Sequence, residues 1–176
     1  MLDRNVHRTI LLQILKDIYT DPSLGPFLGF KGGTAANLFY GLGRFSVDLD
    51  FDLLREDKGN LVLERMDKIL REYGIIKEKY KKKHTLLFVL SYDEKAQNIK
   101  IEINRRKFGS RYELKNYLGI SMLVMAKEDM FAHKLVAILE RVKTAKSLAN
   151  KQKTWAKAHL KRDTIFLLKA RLEQER

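Results

Sequence analysis

A glycine turn precedes a group of closely spaced carboxylates in this chain. Gly32-Gly33 can hold a phosphate, because backbone without Cβ atoms lets N–H groups approach phosphate oxygens. Apolar and polar residues alternate from Phe45 to Leu53, which predicts a strand with one apolar and one polar face. The predicted polar face carries Ser46, Asp48, Asp50 and Asp52.

These acids are candidates for a metal site. Carboxylates on one strand face repel each other and Asp is a poor strand former, so a bound cation would offset both costs. Residues at i and i+2 lie about 7 Å apart along a strand, so Asp48 and Asp50 can share a pair of Mg²⁺ ions. Glu102, on the polar face of the alternating segment Asn98 to Asn104, is the candidate third acid. The alternative is the solvated outer face of an edge strand.

A phosphate-holding turn and a metal pair are the two requirements of nucleotidyl transfer. The first positions a triphosphate, and the second offsets negative charge while the bond changes hands. Thr34 is predicted as the N-cap of a short helix, Ala35 to Tyr40, whose positive end would face the phosphates.

Further helices and strands are predicted around these segments. The predicted helices are Asn5 to Tyr19, Asn60 to Tyr73, Lys127 to Lys143 and a region from Lys151 onward. The predicted strands are Phe27 to Phe30, Ile75 to Tyr80, Thr85 to Tyr92, Asn98 to Asn104 and Ser121 to Met125. This order indicates an α/β (α+β) fold, a small mixed sheet with an acidic face flanked by helices. We expect a core at residues 1–125 and a helical C-terminal region at 126–176, packed on that core.

Composition restricts the partners. The chain has 176 residues, no cysteine and a net charge of +13. No apolar run has the length of a membrane span, so a soluble, cytoplasmic protein is expected. The positive charge is concentrated in Lys77 to Lys83 and after Arg141, which favours RNA or a nucleotide as partner, although a solvated basic surface is the alternative.

Three motifs resemble the DNA polymerase beta-type nucleotidyltransferase superfamily: Gly32-Gly33, Asp48-Leu49-Asp50 and Ile101-Glu102-Ile103. The longer runs Lys31 to Ala36 and Arg44 to Phe51 resemble the AbiEii-type abortive-infection toxin nucleotidyltransferases. The resemblance implies Mg²⁺-dependent transfer of a nucleotide from an NTP to an acceptor. It also implies a toxin–antitoxin or phage-defence role, with a cognate antitoxin as a possible partner.

The resemblance also implies roles for individual residues. The implied nucleotide-binding residues are Gly32, Gly33, Thr34, Arg44 and Ser46. The implied metal ligands are Asp48, Asp50 and Glu102, which together with Lys134 are the implied catalytic residues. Lys134 falls within an apolar stripe at helical spacing, where the alternative is a Lys whose charged end reaches solvent. The stripe consists of Phe131, Leu135, Ile138 and Val142.

The C-terminal region departs from the family pattern. The family places an Arg-Asp pair some twenty residues after the helix Lys, whereas the only such pair here is Arg162-Asp163. Asp163 is therefore either an acceptor-side acid or an ordinary acid near a helix N-terminus.

The sequence alone leaves three possible functions. The first is a toxin that transfers a nucleotide to RNA, above all tRNA, or to a protein hydroxyl. The second is nucleotidylation of an antibiotic, which the charge of +13 opposes because cationic antibiotics call for an acidic pocket. The third is a catalytically silent module of the same fold that binds nucleic acid or a partner protein.

Overall fold

The computed structural model describes residues 3–93 and 98–147, with side chains up to residue 141. The chain divides into two compact units, Met1–Lys127 and Glu128–Arg176. The predicted boundary between residues 125 and 126 stays a prediction. Across the described ranges, no helix is both long and apolar enough to cross a membrane.

The described elements begin with helices alternating with single strands, and five consecutive strands then precede the last described helix. The helices are α1 (Arg4–Thr20), α2 (Gly32–Phe39), α3 (Gly59–Arg71) and α4 (Lys127–Ser147). The strands are β1 (Leu28–Lys31), β2 (Leu49–Leu53), β3 (Ile75–Lys81), β4 (Thr85–Ser91), β5 (Ile99–Asn104), β6 (Tyr112–Tyr117) and β7 (Ile120–Met125). Single 3₁₀ turns occupy Gly25–Phe27 and Glu56–Lys58. The predicted α/β (α+β) class is confirmed.

All seven strands form one mixed sheet in the order β3-β4-β5-β2-β1-β7-β6. The parallel pairs are β2 with β5 and β1 with β7, and the remaining neighbours are antiparallel. The two strands that carry the predicted acids, β2 and β5, are therefore direct neighbours at the centre of the sheet.

Strand alternation separates an apolar face from a polar one. Phe51 is fully buried on the apolar face, and its ring lies 6.4 Å from that of Tyr19 on α1. The Tyr19 hydroxyl donates to the Leu28 carbonyl at 3.0 Å, which fixes α1 against β1. α3 packs beside α1, and Arg65 of α3 donates to Asp21 at 2.7 Å. Asp50 and Asp52 flank Phe51 in sequence, so their side chains lie on the other, polar face.

The acidic strand is shorter than predicted. The strand begins at Leu49 rather than Phe45, so Ser46 and Asp48 lie in the segment that leads into it. The carbonyls there bond to side chains: Val47 accepts from His7 Nε2 at 3.0 Å, and Asp48 accepts from Thr34 Oγ1 at 2.5 Å. These contacts hold the segment in place without a ladder of strand hydrogen bonds.

Two further local predictions were wrong. Thr34 is not an N-cap, because α2 begins at Gly32 and the Thr34 hydroxyl bonds to the Asp48 carbonyl instead. The edge strand β6 was not predicted, since neither face of the sequence Tyr-Glu-Leu-Lys-Asn-Tyr is uniformly apolar. Such a pattern is typical of an edge strand that lacks a covering layer.

Candidate active site

The parallel pairing of β2 with β5 brings two of the predicted acids together. Asp50 is the direct register partner of Glu102, and Asp52 is the partner of Asn104. Partners in adjacent strands point to the same face of a sheet, so the Asp50 and Glu102 side chains both lie on the polar face. Residues that are 52 positions apart in sequence thus form one acidic pair.

Asp48 joins this pair from the segment before β2. Its Oδ1 accepts a hydrogen bond from the Lys100 backbone N–H at 3.2 Å, which ties the carboxylate to the start of strand β5. The Lys100 ammonium donates to Glu102 Oε2 at 2.5 Å. The acidic cluster, defined as Asp48, Asp50 and Glu102, is therefore held along one side by Lys100.

The cluster carries more negative charge than its surroundings offset. Burial, together with the neighbouring Glu102 and Asp48, raises the pKa of Asp50 to about 6, while Lys31 and Lys100 act in the opposite direction. Desolvation and like charge both disfavour the ionised form of a carboxylic acid. A cation bound at the cluster would favour that ionised form.

The glycine turn packs directly against the cluster. Gly32 has φ +78°, in the left-handed region, and a Cβ atom there would overlap the Asp50 side chain. At Gly33 a Cβ atom would lie 2.7 Å from Ser46 Oγ. The absence of side chains at both positions lets this backbone, at the start of α2, lie against Asp50 and Ser46.

The donor set suits a hard divalent cation. Asp48, Asp50 and Glu102 offer carboxylate oxygens, and burial together with the two neighbouring acids raises the pKa of Asp50. Among residues 3–93 and 98–147, no group of three His, Cys, Asp or Glu side chains is arranged as a preformed metal site. Lys100 pairs with Glu102 in the present arrangement, so cation binding would require the Glu102 side chain to turn from Lys100 toward Asp50.

Asp52 does not share the open acidic face that was predicted for it. Its carboxyl group is buried, with 4% of the residue exposed, and three side chains bond to it. Lys31 Nζ and Asn104 Nδ2 donate to Oδ1 at 2.5 and 2.6 Å, and the Tyr112 hydroxyl donates to Oδ2 at 2.6 Å. Asp52 is therefore the centre of a buried polar network, here called the Asp52 network, and its charge is offset by Lys31.

Sequence reasoning missed two cations of this site, Lys31 and Lys100. Lys31 is the register partner of Asp50 across β1 and β2, and Lys100 precedes Glu102 by two residues on the same strand face. The position of Lys100 was readable from the alternation of Ile99, Ile101 and Ile103. The role of Lys31 depends on which strands are neighbours, which periodicity does not reveal.

The other predicted site residues have separate locations. Arg44 is exposed in the segment between α2 and β2, where its carbonyl accepts from Asn37. Lys134 lies on α4, in the second unit. Asp163 and the basic tail beyond residue 147 lie outside the described residues, and so does the side chain of Val142.

The glycine turn packed against Asp50 on a mixed sheet agrees with the site that the sequence predicts for a nucleotidyltransferase. The family described as "Nucleotidyl transferase AbiEii toxin, Type IV TA system" matches residues 13–155. The chain therefore belongs to the AbiEii nucleotidyltransferase toxin family, and the predicted resemblance is confirmed.

Solved structures support the same fold. JHP933 from Helicobacter pylori is 26% identical, with a TM-score of 0.53, and the match covers 77% of this chain and 58% of JHP933. TM1012 from Thermotoga maritima, whose assignment as a nucleotidyltransferase is provisional, is 18% identical with a TM-score of 0.52. That match covers 90% of this chain and 96% of TM1012, and at this identity it shows the fold alone. The chain thus spans less than two thirds of JHP933. Among curated proteins, none matches the chain.

Proposed function

We propose that the chain is a Mg²⁺-dependent nucleotidyltransferase that transfers a nucleotide from an NTP to an RNA acceptor, as the toxin of a toxin–antitoxin pair. The observation that carries the proposal is the register pair Asp50 and Glu102, with the glycine turn packed against Asp50. Family membership supplies the toxin role and an antitoxin as the expected partner.

The proposed reaction joins the acceptor to the α-phosphate of the NTP. A hydroxyl oxygen of the acceptor attacks the α-phosphorus, the bond to the bridging oxygen of the β-phosphate breaks, and pyrophosphate leaves. The hydroxyl proton passes to the Glu102 carboxylate and then to solvent. Backbone N–H groups at the start of α2, beside Gly32 and Gly33, face the phosphates of the NTP.

Asp48, Asp50 and Glu102 would hold the divalent cations, which when bound offset charge on the attacking and leaving oxygens. Ser46, whose Oγ lies next to Gly33, would donate to a phosphate oxygen. Roles for Thr34 and Arg44 in nucleotide binding, Lys134 in catalysis and Asp163 on the acceptor side stay predictions of the family resemblance. The Thr34 hydroxyl donates a hydrogen bond to the Asp48 carbonyl, so we propose that Thr34 positions Asp48.

The experiment that tests this function is transfer of label from each of the four α-³²P NTPs. The reactions contain Mg²⁺ and either total RNA, total protein or no acceptor. We expect label in the RNA fraction with the wild type and none with Asp50→Asn. Asp57→Asn, at an exposed acid paired with Arg55, is the matched control and should transfer like the wild type. Label in protein alone would replace the RNA acceptor with a protein acceptor, and no label in any reaction would indicate a silent binding module.

A further inference from the structure

His7 is a buried histidine in the first turn of α1 that the proposed reaction does not use. It belongs to the buried face of that helix, whose other members are Leu11, Ile14, Leu15 and Ile18. An aliphatic side chain would fill such a position without any polar group to satisfy. Burying a polar ring costs free energy unless its nitrogens are hydrogen-bonded, so the partners of the His7 ring decide what it contributes.

Both ring nitrogens of His7 have hydrogen-bond partners. Nδ1 lies 2.7 Å from the Tyr92 hydroxyl, and Nε2 lies 3.0 Å from the Val47 carbonyl oxygen. A carbonyl oxygen only accepts, so Nε2 carries a proton and donates the bond. In the neutral ring Nδ1 is then the acceptor, and the Tyr92 hydroxyl donates to it. The rings of Phe45 and Tyr92 lie edge-on to the imidazole, with centroids 5.8 and 5.5 Å away, so its orientation is fixed as well.

The carbonyl that His7 holds directly precedes a residue of the acidic cluster. Val47 is followed by Asp48, in the segment before β2 begins at Leu49. The Thr34 hydroxyl holds the next carbonyl, that of Asp48 itself, at 2.5 Å. His7 and Thr34 therefore hold the two peptide groups on either side of the Asp48 Cα atom.

These two peptide groups determine where the Asp48 side chain points. Each peptide unit is planar, so the orientations of the two planes beside a Cα atom set the direction of its Cα–Cβ bond. The Lys100 backbone N–H then holds the Asp48 carboxylate through Oδ1 at 3.2 Å. Groups that orient a metal ligand from behind matter for affinity, because their loss typically weakens metal binding about 10- to 100-fold.

From these contacts we infer that His7 is a positioning residue for the candidate metal ligand Asp48, and that it acts through the Val47 carbonyl. The inference deepens the proposed function, and its consequence for transfer rests on that function. Cation binding is measurable without transfer. The competing explanation is a histidine whose hydrogen bonds contribute only to the packing of α1.

Glutamine and asparagine separate the two ring nitrogens of His7. The amide nitrogen of Gln lies as many bonds from Cβ as Nε2 does, whereas the amide group of Asn ends where Nδ1 lies. His7→Gln therefore keeps a donor for the Val47 carbonyl, and His7→Asn keeps only a partner for the Tyr92 hydroxyl. Both variants lose the aromatic ring, so urea denaturation should show a similar loss of stability in the two.

The test is the affinity of each folded variant for Mn²⁺ alone, measured from the electron paramagnetic resonance signal of free Mn²⁺. Mn²⁺ prefers carboxylate oxygens, as Mg²⁺ does. We expect the Kd to rise about 10- to 100-fold in His7→Asn and to stay close to the wild-type value in His7→Gln. Equal affinities of these two variants, or a wild type that binds no Mn²⁺, would overturn the inference.

Two control variants separate positioning from packing. Leu11→Ala leaves a cavity on the same buried face of α1, so it should lower stability without changing the Kd for Mn²⁺. Tyr92→Phe removes the hydroxyl that bonds to Nδ1 and leaves the Nε2 bond to Val47, so its Kd should also stay close to the wild-type value. A Kd increase in Leu11→Ala as large as that in His7→Asn would assign the effect to packing and overturn the inference.

A measurement on the wild type decides the matter even when the His7 variants do not fold. In protein with ¹⁵N-labelled histidine, Mg²⁺ should shift the ring nitrogen resonances of His7, because a cation held by Asp48 changes the bond to the Val47 carbonyl. The resonances of the exposed His84 should not shift. His7 resonances that are unchanged at saturating Mg²⁺ would overturn the inference.

The label-transfer reactions separate this inference from the proposed function. In an active enzyme, His7→Asn should raise the Mg²⁺ concentration that gives half the maximal rate, and His7→Gln should not. Active transfer by a His7→Asn protein with wild-type cation affinity would reject positioning by His7 and keep the nucleotidyltransferase. Selective loss of Mn²⁺ affinity in His7→Asn, with no transfer by the wild type, would keep the role of His7 and reject the transfer reaction.

Discussion

Gly32 lies so close to Asp50 that a Cβ atom on the glycine would overlap the aspartate side chain. The contact connects the turn that begins α2 with the carboxylate at the centre of the acidic cluster. Gly32 also has φ +78°, a conformation that other residues adopt only at a cost of about 1–2 kcal/mol. The same residue therefore determines both the path of the turn and the position of Asp50.

We predict that Gly32→Ala impairs transfer far more than stability. The new methyl group must displace the Asp50 carboxyl group, while the strained backbone lowers the free energy of unfolding by only about 1–2 kcal/mol. Gly43→Ala is the control, since within the described part of the chain a Cβ atom there would have no neighbour within 4 Å beyond the adjoining residues. Steady-state transfer rates and urea denaturation measure the two effects. A Gly32→Ala enzyme with full activity would show that Asp50 does not need its present position.

The raised pKa of Asp50 predicts a pH dependence of stability in metal-free protein. Its folded-state pKa of about 6 lies above its unfolded value of 3.8, so the folded state binds the proton more tightly. Stability is then lost as pH rises from about 4 through about 6. Asp50→Asn should remove this loss and be the more stable protein at pH 7.5, by at most about 3 kcal/mol at 1.36 kcal/mol per pKa unit.

Urea denaturation in EDTA at pH 4 and pH 7.5 measures that difference. The wild type and Asp50→Asn should differ most at the higher pH. Asp57→Asn should show no such gain, because Arg55 lowers the pKa of Asp57 and its ionised form is the stabilised one. If Asp50→Asn and Asp57→Asn change the free energy of unfolding by the same amount at both pH values, the raised pKa of Asp50 is refuted.

Divalent cations should stabilise the folded protein through the acidic cluster. A ligand that binds only the folded state contributes about 2.7 kcal/mol at a concentration of 100 times its Kd. We therefore expect Mg²⁺ or Mn²⁺ to raise the Tm of the wild type and of Asp57→Asn, and to leave Asp50→Asn unchanged. Calorimetric titration of the metal-free proteins is the second measurement. A Tm increase of the same size in Asp50→Asn would place the cation elsewhere.

Asp52 should behave as a structural residue, in contrast to Asp50. Asp52→Ala leaves the partly buried Lys31 ammonium, with 18% of its side chain exposed, without its carboxylate, and this should cost about 3 kcal/mol, the low end of the range for a broken buried ion pair. Adding Lys31→Met should recover part of that loss, because the uncompensated charge is gone. Urea denaturation of the single and double variants measures this. An Asp52→Ala protein as stable as the wild type would contradict the network.

Local sequence patterns predicted most of the elements around the site. Helices α1 and α3 and strands β4, β5 and β7 begin and end within two residues of their predicted positions, since apolar spacing is strong in each. The alternation of β5 also placed Glu102 on the polar face. Such features depend on residues close together in sequence.

What was missed depends on contacts between distant segments. Asp50 and Asp52 follow the same alternation, yet one lies in the acidic cluster and the other is buried beneath Lys31, Asn104 and Tyr112. Their difference arises from strands β1, β5 and β6, whose order in the sheet no local pattern encodes. The start of β2 was predicted too early for a similar reason. The segment before β2 is held by hydrogen bonds from His7 and Thr34, which lie far from it in sequence.

The most direct test of the acidic cluster is Glu102→Gln in single-turnover transfer from an α-³²P NTP, with NTP affinity measured separately. Glu102 is the register partner of Asp50 and would act on the transferring group, so transfer should fall by about 100-fold or more. NTP affinity should stay close to that of the wild type, and Glu113→Gln, at an exposed acid on β6, should change neither quantity. A Glu102→Gln enzyme that transfers label at the wild-type rate would contradict a catalytic site at Asp48, Asp50 and Glu102.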